Sequence, residues 1–354
     1  MRVPASLVRG GTSKCWLFDA TALRNRMELD RPNLDRLLVD AYDAGDPAHV
    51  DGVGGATPTT SKAAFVRPGA GVDVEYLFGQ VGIGVAGVEW GSNCGNCATA
   101  IALWALARGL VAPTGDTTRV VLRNVNTGAV LEADVDTGGG RVHEFGTETV
   151  PGTRAGGVGV GLAFVDPAGG TTGSTLPTGR AVDDLSVDGT PVRVSMIDAG
   201  APMVLVDAVS LGLTGQEPIT RERTEQLRRI RRAAGERMGL PGGDAIPKVG
   251  VVGGPEHGAD VSVRMLSMNS PHPAIGLTSA VGVAVANSLD GTVVAARSDA
   301  PGATRLRIGT PAGAVAVDCA DFHDGPPRRV TVRRAARILC DAEIRVPETT
   351  ATRH

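Results

Sequence analysis

Two stretches of the chain are apolar on every side of a helix, and both are rich in small residues. The first runs from Cys94 to Ala107 and contains no charged residue. The second lies within the charge-free stretch from Met265 to Leu289. A helix that is hydrophobic all round is typical of a protein core. We therefore predict two buried central helices, at about residues 94–108 and 273–289.

The remaining pattern is mostly that of β-strands and their turns. Alternating or β-branched runs flanked by Gly, Pro and Asn predict hairpins over residues 120–136 and 305–317 and a strand over 329–334. Apolar residues at helical spacing predict two surface helices, one over residues 34–42 and one over 220–238. The chain is therefore expected to be an α+β protein.

Each predicted central helix follows a polar turn that contains asparagine. These turns are Ser92–Asn96 before the first helix and Asn269–His272 before the second. Two such helices in one chain predict an internal duplication, with sheet wrapped around one buried helix in each half. We place the halves at residues 1–185 and 186–354, and allow for the last strand to return to the first half.

Composition restricts the class of protein. Aromatic residues make up only 3% of the chain, so the core must be built from Ala, Val and Leu. A net charge of −3 argues against nucleic acid or a membrane surface as a partner. Pro271 and Pro273 interrupt the charge-free stretch, which argues against a membrane span. Because the N-terminus lacks a long apolar run and the five cysteines are an odd number, we expect a soluble cytoplasmic protein without a disulfide framework.

The richest local chemistry is Asn93-Cys94-Gly95-Asn96, at the predicted start of the first central helix. Unpaired N–H groups and the positive dipole end at such a position bind carboxylates. The same field lowers the pKa of a thiol, so Cys94 is a candidate for proton exchange with a carbon acid. The alternatives are a buried structural cysteine and a metal or redox Cys94-x-x-Cys97 pair, although a metal site lacks a second ligand pair.

Lysine is rare in this chain, and two of its three lysines end the tripeptides Thr12-Ser13-Lys14 and Thr60-Ser61-Lys62. Unlike arginine, lysine can lose its charge when it is buried, and it can then carry a proton. Lys62 enters a strand-like run and is expected to be partly buried, which suits an acid or base. The preceding Gly54-Gly55 does not fit a nucleotide loop. The alternative is a lysine at the core edge that extends to water.

Two further segments carry groups suited to an anionic substrate. Arg9-Gly10-Gly11-Thr12-Ser13-Lys14 combines cations, hydroxyls and backbone amides, although plain turn chemistry explains it equally well. His272 stands at the expected start of the second central helix, in a position that corresponds to Cys94. A satisfied structural histidine is the alternative.

Together and in this order, these motifs resemble the PrpF-like family. The resemblance also covers Leu176–Gly179, Ile197–Pro202 and Val330–Arg337, and it runs nearly end to end. It implies the diaminopimelate-epimerase-like fold, with two pseudo-symmetric α+β domains, each a β-barrel-like sheet around a central helix. It also implies isomerisation of unsaturated polycarboxylates, as in 2-methylaconitate isomerases, 4-oxalomesaconate tautomerases and methylitaconate isomerases.

The resemblance implies that Lys62 and Cys94 move the proton, without a cofactor or a metal. The candidate substrate-binding residues are the polar groups and glycines of these motifs: Arg9, Thr12, Ser13, Lys14, Gly54, Gly55, Ser61, Asn93, Gly95, Asn96, His272, Thr278 and Ser279. The sequence departs from the family pattern at Cys15, Cys97 and Ser279, where Gly, Met and Gly are usual. These departures bear on the substrate more than on the chemistry.

The expected function is therefore isomerisation of an aconitate-type or methylaconitate-type acid, by removal and return of a proton. The expected partner is a small polycarboxylate, and a homodimer is one arrangement of the chain that the sequence leaves open. Which of Lys62 and Cys94 is the base also stays open. Three alternatives remain: a 4-oxalomesaconate-type tautomerase, a non-catalytic tricarboxylate-binding partner of an iron–sulfur dehydratase, and an amino-acid epimerase. The last is disfavoured because the second helix offers Thr278-Ser279 and no cysteine.

Overall fold

A computed structural model describes residues 1–91, 94–241, 243–322 and 325–347. The chain forms two compact units. We call unit 1 the segment Met1–Leu162 together with the chain from Arg334 onwards, and unit 2 the segment Ala163–Arg333. No helix of the described chain is long and apolar enough to cross a membrane.

Strands dominate the described chain, and two of its helices are fully apolar. The strands are β1 (Arg2–Gly10), β2 (Ser13–Asp19), β3 (Lys62–Pro68), β4 (Val74–Val81), β5 (Val88–Glu89), β6 (Thr117–Asn124), β7 (Val130–Asp136), β8 (Val158–Val165), β9 (Asp183–Val187), β10 (Thr190–Ala199), β11 (Ala201–Asp207), β12 (Lys248–Gly253), β13 (Val261–Ser267), β14 (Ser270–Pro271), β15 (Arg305–Thr310), β16 (Gly313–Phe322) and β17 (Pro327–Arg345). The helices are α1 (Ala20–Leu23), α2 (Arg31–Tyr42), α3 (Gly95–Ala107), α4 (Arg221–Arg237), α5 (Leu277–Asn287) and α6 (Val293–Arg297), with a 3-10 turn at Ala208–Leu211.

In unit 1 the hydrogen-bonded strands follow the order β7-β6-β4-β3-β2-β1-β17-β8. The β1–β2, β3–β4 and β6–β7 pairs are antiparallel, whereas β2–β3 and β4–β6 are parallel. Helix α3 packs against β1, β2, β3, β6 and β7. The sheet therefore wraps around α3, as the apolar pattern predicts.

Unit 2 repeats this order in its own strands. The sequence of neighbours is β9-β10-β11-β12-β13-β15-β16-β17. The β10–β11, β12–β13 and β15–β16 pairs are antiparallel, and β11–β12 and β13–β15 are parallel. Helix α5 packs on β10, β11 and β16. The same senses of pairing, with one central helix in each unit, confirm the predicted α+β fold of two pseudo-symmetric parts.

The two units divide at a different place from the halves drawn from the sequence. The boundary at 185/186 would fall inside β9, whereas the units divide at Leu162/Ala163. Hydrogen bonds tie the intervening loop to unit 2. The Gly169 N–H donates to the Asp198 carbonyl, and the Asp198 N–H donates to the Thr175 carbonyl.

Helix α3 confirms the first predicted central helix, and its side chains from Cys97 to Leu106 are all buried. It ends where Gly109 takes a left-handed conformation (φ +70°), which glycine adopts without a steric penalty. The apolar side chains thus become the core of unit 1, and the helix start lies at the polar motif that precedes it.

The second central helix is shorter than predicted. It begins at Leu277 rather than near residue 273, with Gly276 as its N-cap. The residues before the helix include β14, which pairs with the end of β13. The His272 N–H donates to the Met265 carbonyl. His272 therefore lies in this hairpin and not at the helix start, so the expected correspondence with Cys94 is wrong.

Candidate active site

The start of α3 is held against the end of β1 by a very close backbone approach. A Cβ on Gly10 would lie 1.9 Å from the Asn96 carbonyl oxygen, so only glycine fits there. Gly11 has φ +54°, and a Cβ on it would lie 2.3 Å from Asn96 Oδ1. The Asn96 side-chain amide donates to Thr12 Oγ1 (3.1 Å) and to Ser13 Oγ (3.2 Å). The two predicted motifs therefore form one hydrogen-bonded cluster.

Cys94 is the N-cap of α3, with extended backbone angles (φ −128°, ψ 103°). Its carbonyl accepts the first bond of the helix, from the Ala98 N–H at 2.9 Å. The Cys94 side chain is half-buried, while Cys97 in the first turn is buried. The Cys97 thiol is the neighbour that most raises the pKa of Cys94, and the Cys15 thiol is the neighbour that most raises the pKa of Cys97. The three sulfurs thus form a chain that leads from the helix start into the core.

Lys62 is the first residue of β3, and it is buried, as the sequence predicts. Its ammonium donates to the side-chain carbonyl of Gln80, the residue opposite it on β4. The Gln80 amide nitrogen donates to the Ser61 carbonyl at 2.8 Å, which fixes the orientation of the amide. The Lys62 carbonyl accepts a hydrogen bond from the buried Tyr42 hydroxyl. The ammonium is therefore anchored at both its backbone and its head group.

The charge state of Lys62 differs from the expectation that burial moves it toward neutrality. Burial does lower its pKa, but Cys94 and other neighbouring sulfurs raise it, and so does the Glu89 carboxylate. Glu89 lies opposite Gln80 on β5. The net effect raises the pKa of Lys62 above its ordinary value. Lys62 is thus a stable ammonium, suited to holding a carboxylate or donating a proton.

The pKa of Cys94 is raised, which is the opposite of the lowering predicted from its place at a helix start. Its hydrogen bond to the Cys97 thiol is the main cause, and burial adds to the rise. The Lys62 charge acts in the opposite direction and favours the thiolate. The expectation was wrong because it considered the helix terminus alone and not the second thiol beside it. Cys94 and Lys62 nevertheless interact electrostatically, as an acid–base pair requires.

The two charged residues of the Arg9–Lys14 segment lie on β1 and β2 of unit 1. The Arg9 guanidinium donates to the Gly156 and Gly11 carbonyls, at 2.8 and 3.2 Å. Burial and the neighbouring Arg337 lower the pKa of Arg9. Lys14 lies opposite Arg9 in the β1–β2 pair and is half-buried. Arg9 thus acts mainly within the fold, and binding of substrate by Lys14 stays a prediction.

The glycines and Ser61 before β3 have a clear role in the packing of their loop. A Cβ on Gly54 would lie 2.2 Å from His49 Nδ1, and one on Gly55 would lie 2.4 Å from Thr60 Oγ1. Ser61 is completely buried, and its hydroxyl has no hydrogen-bond partner within the described ranges. The loop therefore delivers Lys62 to its position, and binding of substrate by these residues stays a prediction.

Two of the three predicted residues of unit 2, Thr278 and Ser279, lie at the start of α5, and His272 lies in the hairpin before it. Thr278 is half-buried and Ser279 is buried, both in the first turn of the helix. His272 Nδ1 accepts a hydrogen bond from the Ala274 N–H at 3.0 Å, which gives this side chain a local structural role. Binding of substrate by these three residues stays a prediction, as does the role of Gly95 in α3. Asn93 lies outside the described residues.

Sequence reasoning missed Gln80, the hydrogen-bond partner of Lys62. The signal for it is the hairpin of β3 and β4, whose turn at residues 69–73 sets residue 62 opposite residue 80. Counting back from that turn would have found the pair. In the part of the chain that the structure describes, no group of three or more His, Cys, Asp or Glu side chains is arranged to hold a metal ion.

The fold is that of the racemase and epimerase class. The crystal structure of a probable proline racemase from Agrobacterium radiobacter matches it with a TM-score of 0.55 at 12% identity, and the match covers 98% of this chain and 93% of that one. At such low identity the likeness shows the fold alone.

The chain belongs to the PrpF family, because the family model described as "PrpF protein" matches residues 1–347. It is 35% identical to a 4-oxalomesaconate tautomerase of Pseudomonas putida, over 97% of this chain and 96% of the relative. It is 33% identical to a 2-methyl-aconitate isomerase of Cupriavidus necator, over 98% of both chains. The crystal structure of a methylitaconate-delta-isomerase matches with a TM-score of 0.86 at 28% identity, over 100% of this chain and 99% of that one. The family resemblance found in the sequence is confirmed.

Proposed function

We propose that this protein is a cofactor-independent isomerase of an unsaturated di- or tricarboxylic acid of the aconitate or methylaconitate type. The observation that supports this most directly is the pairing of a buried ammonium, Lys62, with a half-buried thiol, Cys94, at the start of α3. The relatives are named as isomerases and tautomerases of acids of this kind.

The substrate carboxylates would bind where unit 1 offers positive charge and hydrogen-bond donors. The start of α3 presents backbone N–H groups with the positive end of the helix dipole. Thr12 and Ser13, held by Asn96, add hydroxyls beside it. Lys14 adds a charge within the same motif. Neutralising a carboxylate in this way makes the proton on the adjacent allylic carbon more acidic, because the dienolate that forms carries its charge on that carboxylate.

In the proposed proton transfer, Cys94 is the base and Lys62 is the acid. Lys62 keeps its proton because its pKa is raised, and its ammonium favours the thiolate of Cys94. The thiolate removes the allylic proton, and the double bond shifts or rotates in the dienolate. A proton then returns to the same carbon or to the carbon two bonds along. Gln80 keeps the ammonium directed during these steps.

A second candidate is the tautomerisation of a 4-oxalomesaconate-type keto acid. The 35% identity to the Pseudomonas putida tautomerase over nearly the whole chain favours it. This reaction also moves a proton on a carbon next to a carbonyl group, so the same two side chains would serve. The two candidates differ only in the substrate.

The deciding experiment is proton NMR in D₂O with a panel of acids: cis-aconitate, trans-aconitate, methylaconitate, itaconate-type acids and 4-oxalomesaconate. We expect isomerisation of one of them, with deuterium incorporated at the carbon that is protonated. Cys94→Ser and Lys62→Ala should each lower kcat by about 10²–10⁴-fold, the usual contribution of a proton-transfer group. Cys319→Ser, which removes a buried thiol on β16 of unit 2, is the matched control and should leave kcat unchanged.

Three outcomes would contradict the proposal. Near wild-type turnover of either variant would exclude the assigned roles of Lys62 and Cys94. Exchange at the stereocentre of an amino acid without exchange at any olefin would favour an epimerase. Tight binding of a tricarboxylate without any deuterium uptake across the panel would favour a non-catalytic accessory protein.

A further inference from the structure

The Cys94-x-x-Cys97 pair has features that the isomerase chemistry does not use. Proton transfer requires one thiol, yet the structure sets a second thiol against it and a third, Cys15, against the second. Cys97 occupies the first turn of α3, three residues after the N-cap. The mechanism gives no role to Cys97 or Cys15.

The geometry points to a dithiol–disulfide site: we propose that hydrogen peroxide oxidises Cys94 and that Cys97 then closes a Cys94–Cys97 disulfide. Cys94 is the N-cap of α3 and Cys97 is its third residue, and the side chains at these two positions lie next to each other at a helix start. An S–S bond of about 2.05 Å therefore requires only a local movement of the two side chains. Both lie on one rigid helix start, which keeps them adjacent without a rearrangement of the chain.

Exposure decides the order of the two steps. Cys94 is half-buried and therefore reachable by a small oxidant, whereas Cys97 and Cys15 are each only 1% exposed. Reactive cysteines of this kind are accessible and lie beside a positive charge. The pKa of each thiol is raised overall, and the Lys62 ammonium opposes this rise at both Cys94 and Cys97. Cys94 is thus the thiol that peroxide oxidises first, and Cys97 is the thiol that then forms the disulfide with it.

The reaction balances without any other reagent. The Cys94 thiolate attacks one oxygen of hydrogen peroxide, the O–O bond breaks, hydroxide leaves, and a sulfenic acid forms. Cys97 loses its proton and its sulfur attacks Cys94 Sγ, the S–O bond breaks, and a second hydroxide leaves. Each hydroxide takes up one proton and becomes water. Two thiols are thereby oxidised by two electrons, and one peroxide is reduced to two molecules of water.

The disulfide would remove the proposed base. Reversible loss of isomerase activity on oxidation therefore rests on the proposed function, whereas formation of the bond does not. A dithiol reductant should break the exposed end of the bond at Cys94 and restore both thiols.

Peptide mapping tests the bond directly. Trypsin does not cut Arg67-Pro68 readily, so Cys94 and Cys97 share one peptide from Ala63 to Arg108, whereas Cys15 lies in a different peptide, after Lys14. After one equivalent of peroxide and blocking of free thiols, we expect the 63–108 peptide to lose two hydrogen atoms and to resist alkylation. Treatment with dithiothreitol before blocking should reverse both changes.

Variants separate the roles of the three thiols. Cys97→Ala should leave Cys94 to oxidise further to the sulfinic acid, which dithiothreitol does not reverse. Cys15→Ala and Cys319→Ala should still form the disulfide. A cross-link between the Cys15 peptide and the 63–108 peptide, or alkylation of both Cys94 and Cys97 after peroxide treatment, would overturn the proposal. Because mass is the readout, the result does not depend on which substrate, if any, the protein isomerises.

Discussion

Replacing Gly10 with alanine tests whether the end of β1 positions the candidate site. The new Cβ would lie 1.9 Å from the Asn96 carbonyl oxygen and 2.8 Å from the Ala100 nitrogen. Both are backbone atoms of α3, so neither can rotate away as the end of a side chain can. Ordinary contact begins near 3.4 Å, so β1 and α3 must separate by roughly 1.5 Å.

This separation has two expected consequences of different size. Overpacking of a core typically costs about 1–3 kcal/mol. For a unit of this size that corresponds to a fall in the melting temperature of roughly 2–12 °C. Asn96 lies in the displaced turn and Cys94 caps it. Because a 1 Å misplacement of a catalytic group costs about 10²-fold, kcat/KM should fall by about that factor.

Thermal unfolding followed by circular dichroism, together with kcat/KM on the substrate found by NMR, measures both effects. Gly45→Ala is the matched control, because a Cβ there meets no atom within 4 Å. We expect the control to keep the wild-type melting temperature and rate. If Gly10→Ala melts at the same temperature as Gly45→Ala, the close approach of β1 and α3 does not exist and the assembly of the site must be rethought.

Three further predictions concern charge. The pKa of Cys94, the proposed base, is raised above its ordinary value. Log kcat/KM should therefore rise by about one per pH unit from neutrality upward, as long as Lys62 stays protonated. A flat profile between about pH 6 and 8 would exclude the assignment of Cys94 as the base. Gln80→Leu removes the acceptor of the buried Lys62 ammonium and should lower the free energy of unfolding by about 1–3 kcal/mol, so an unchanged urea midpoint would contradict that hydrogen bond. Hydrogen bonds from Arg307 hold the pKa of Asp260 below its usual range. The stability from this pair is therefore present above the unfolded-state pKa of Asp260 and lost as the pH falls through its folded-state pKa. In urea unfolding, Asp260→Asn should lose less stability than the wild type between about pH 5 and 2, and equal losses would refute the coupling.

The sequence by itself determined the parts of the fold that depend on local pattern. The charge-free runs identified both central helices, and the alternating runs identified the β6–β7 and β15–β16 hairpins. These features are readable because a fully apolar helix can only be buried, and because a strand shows its two faces as a period of two residues. The order of the motifs along the chain was also sufficient to identify the family.

Only the tertiary structure decided what surrounds the two candidate catalytic groups. Gln80 meets Lys62 through strand register, and Cys15 of β2 comes close to Cys97 through the packing of α3 on β2. The directions of both pKa shifts depend on these neighbours, which is why reasoning from the helix terminus or from burial alone predicted the opposite directions. A pKa reports the sum of burial, charge and hydrogen bonding at one point in space, and only the folded chain sets all three together.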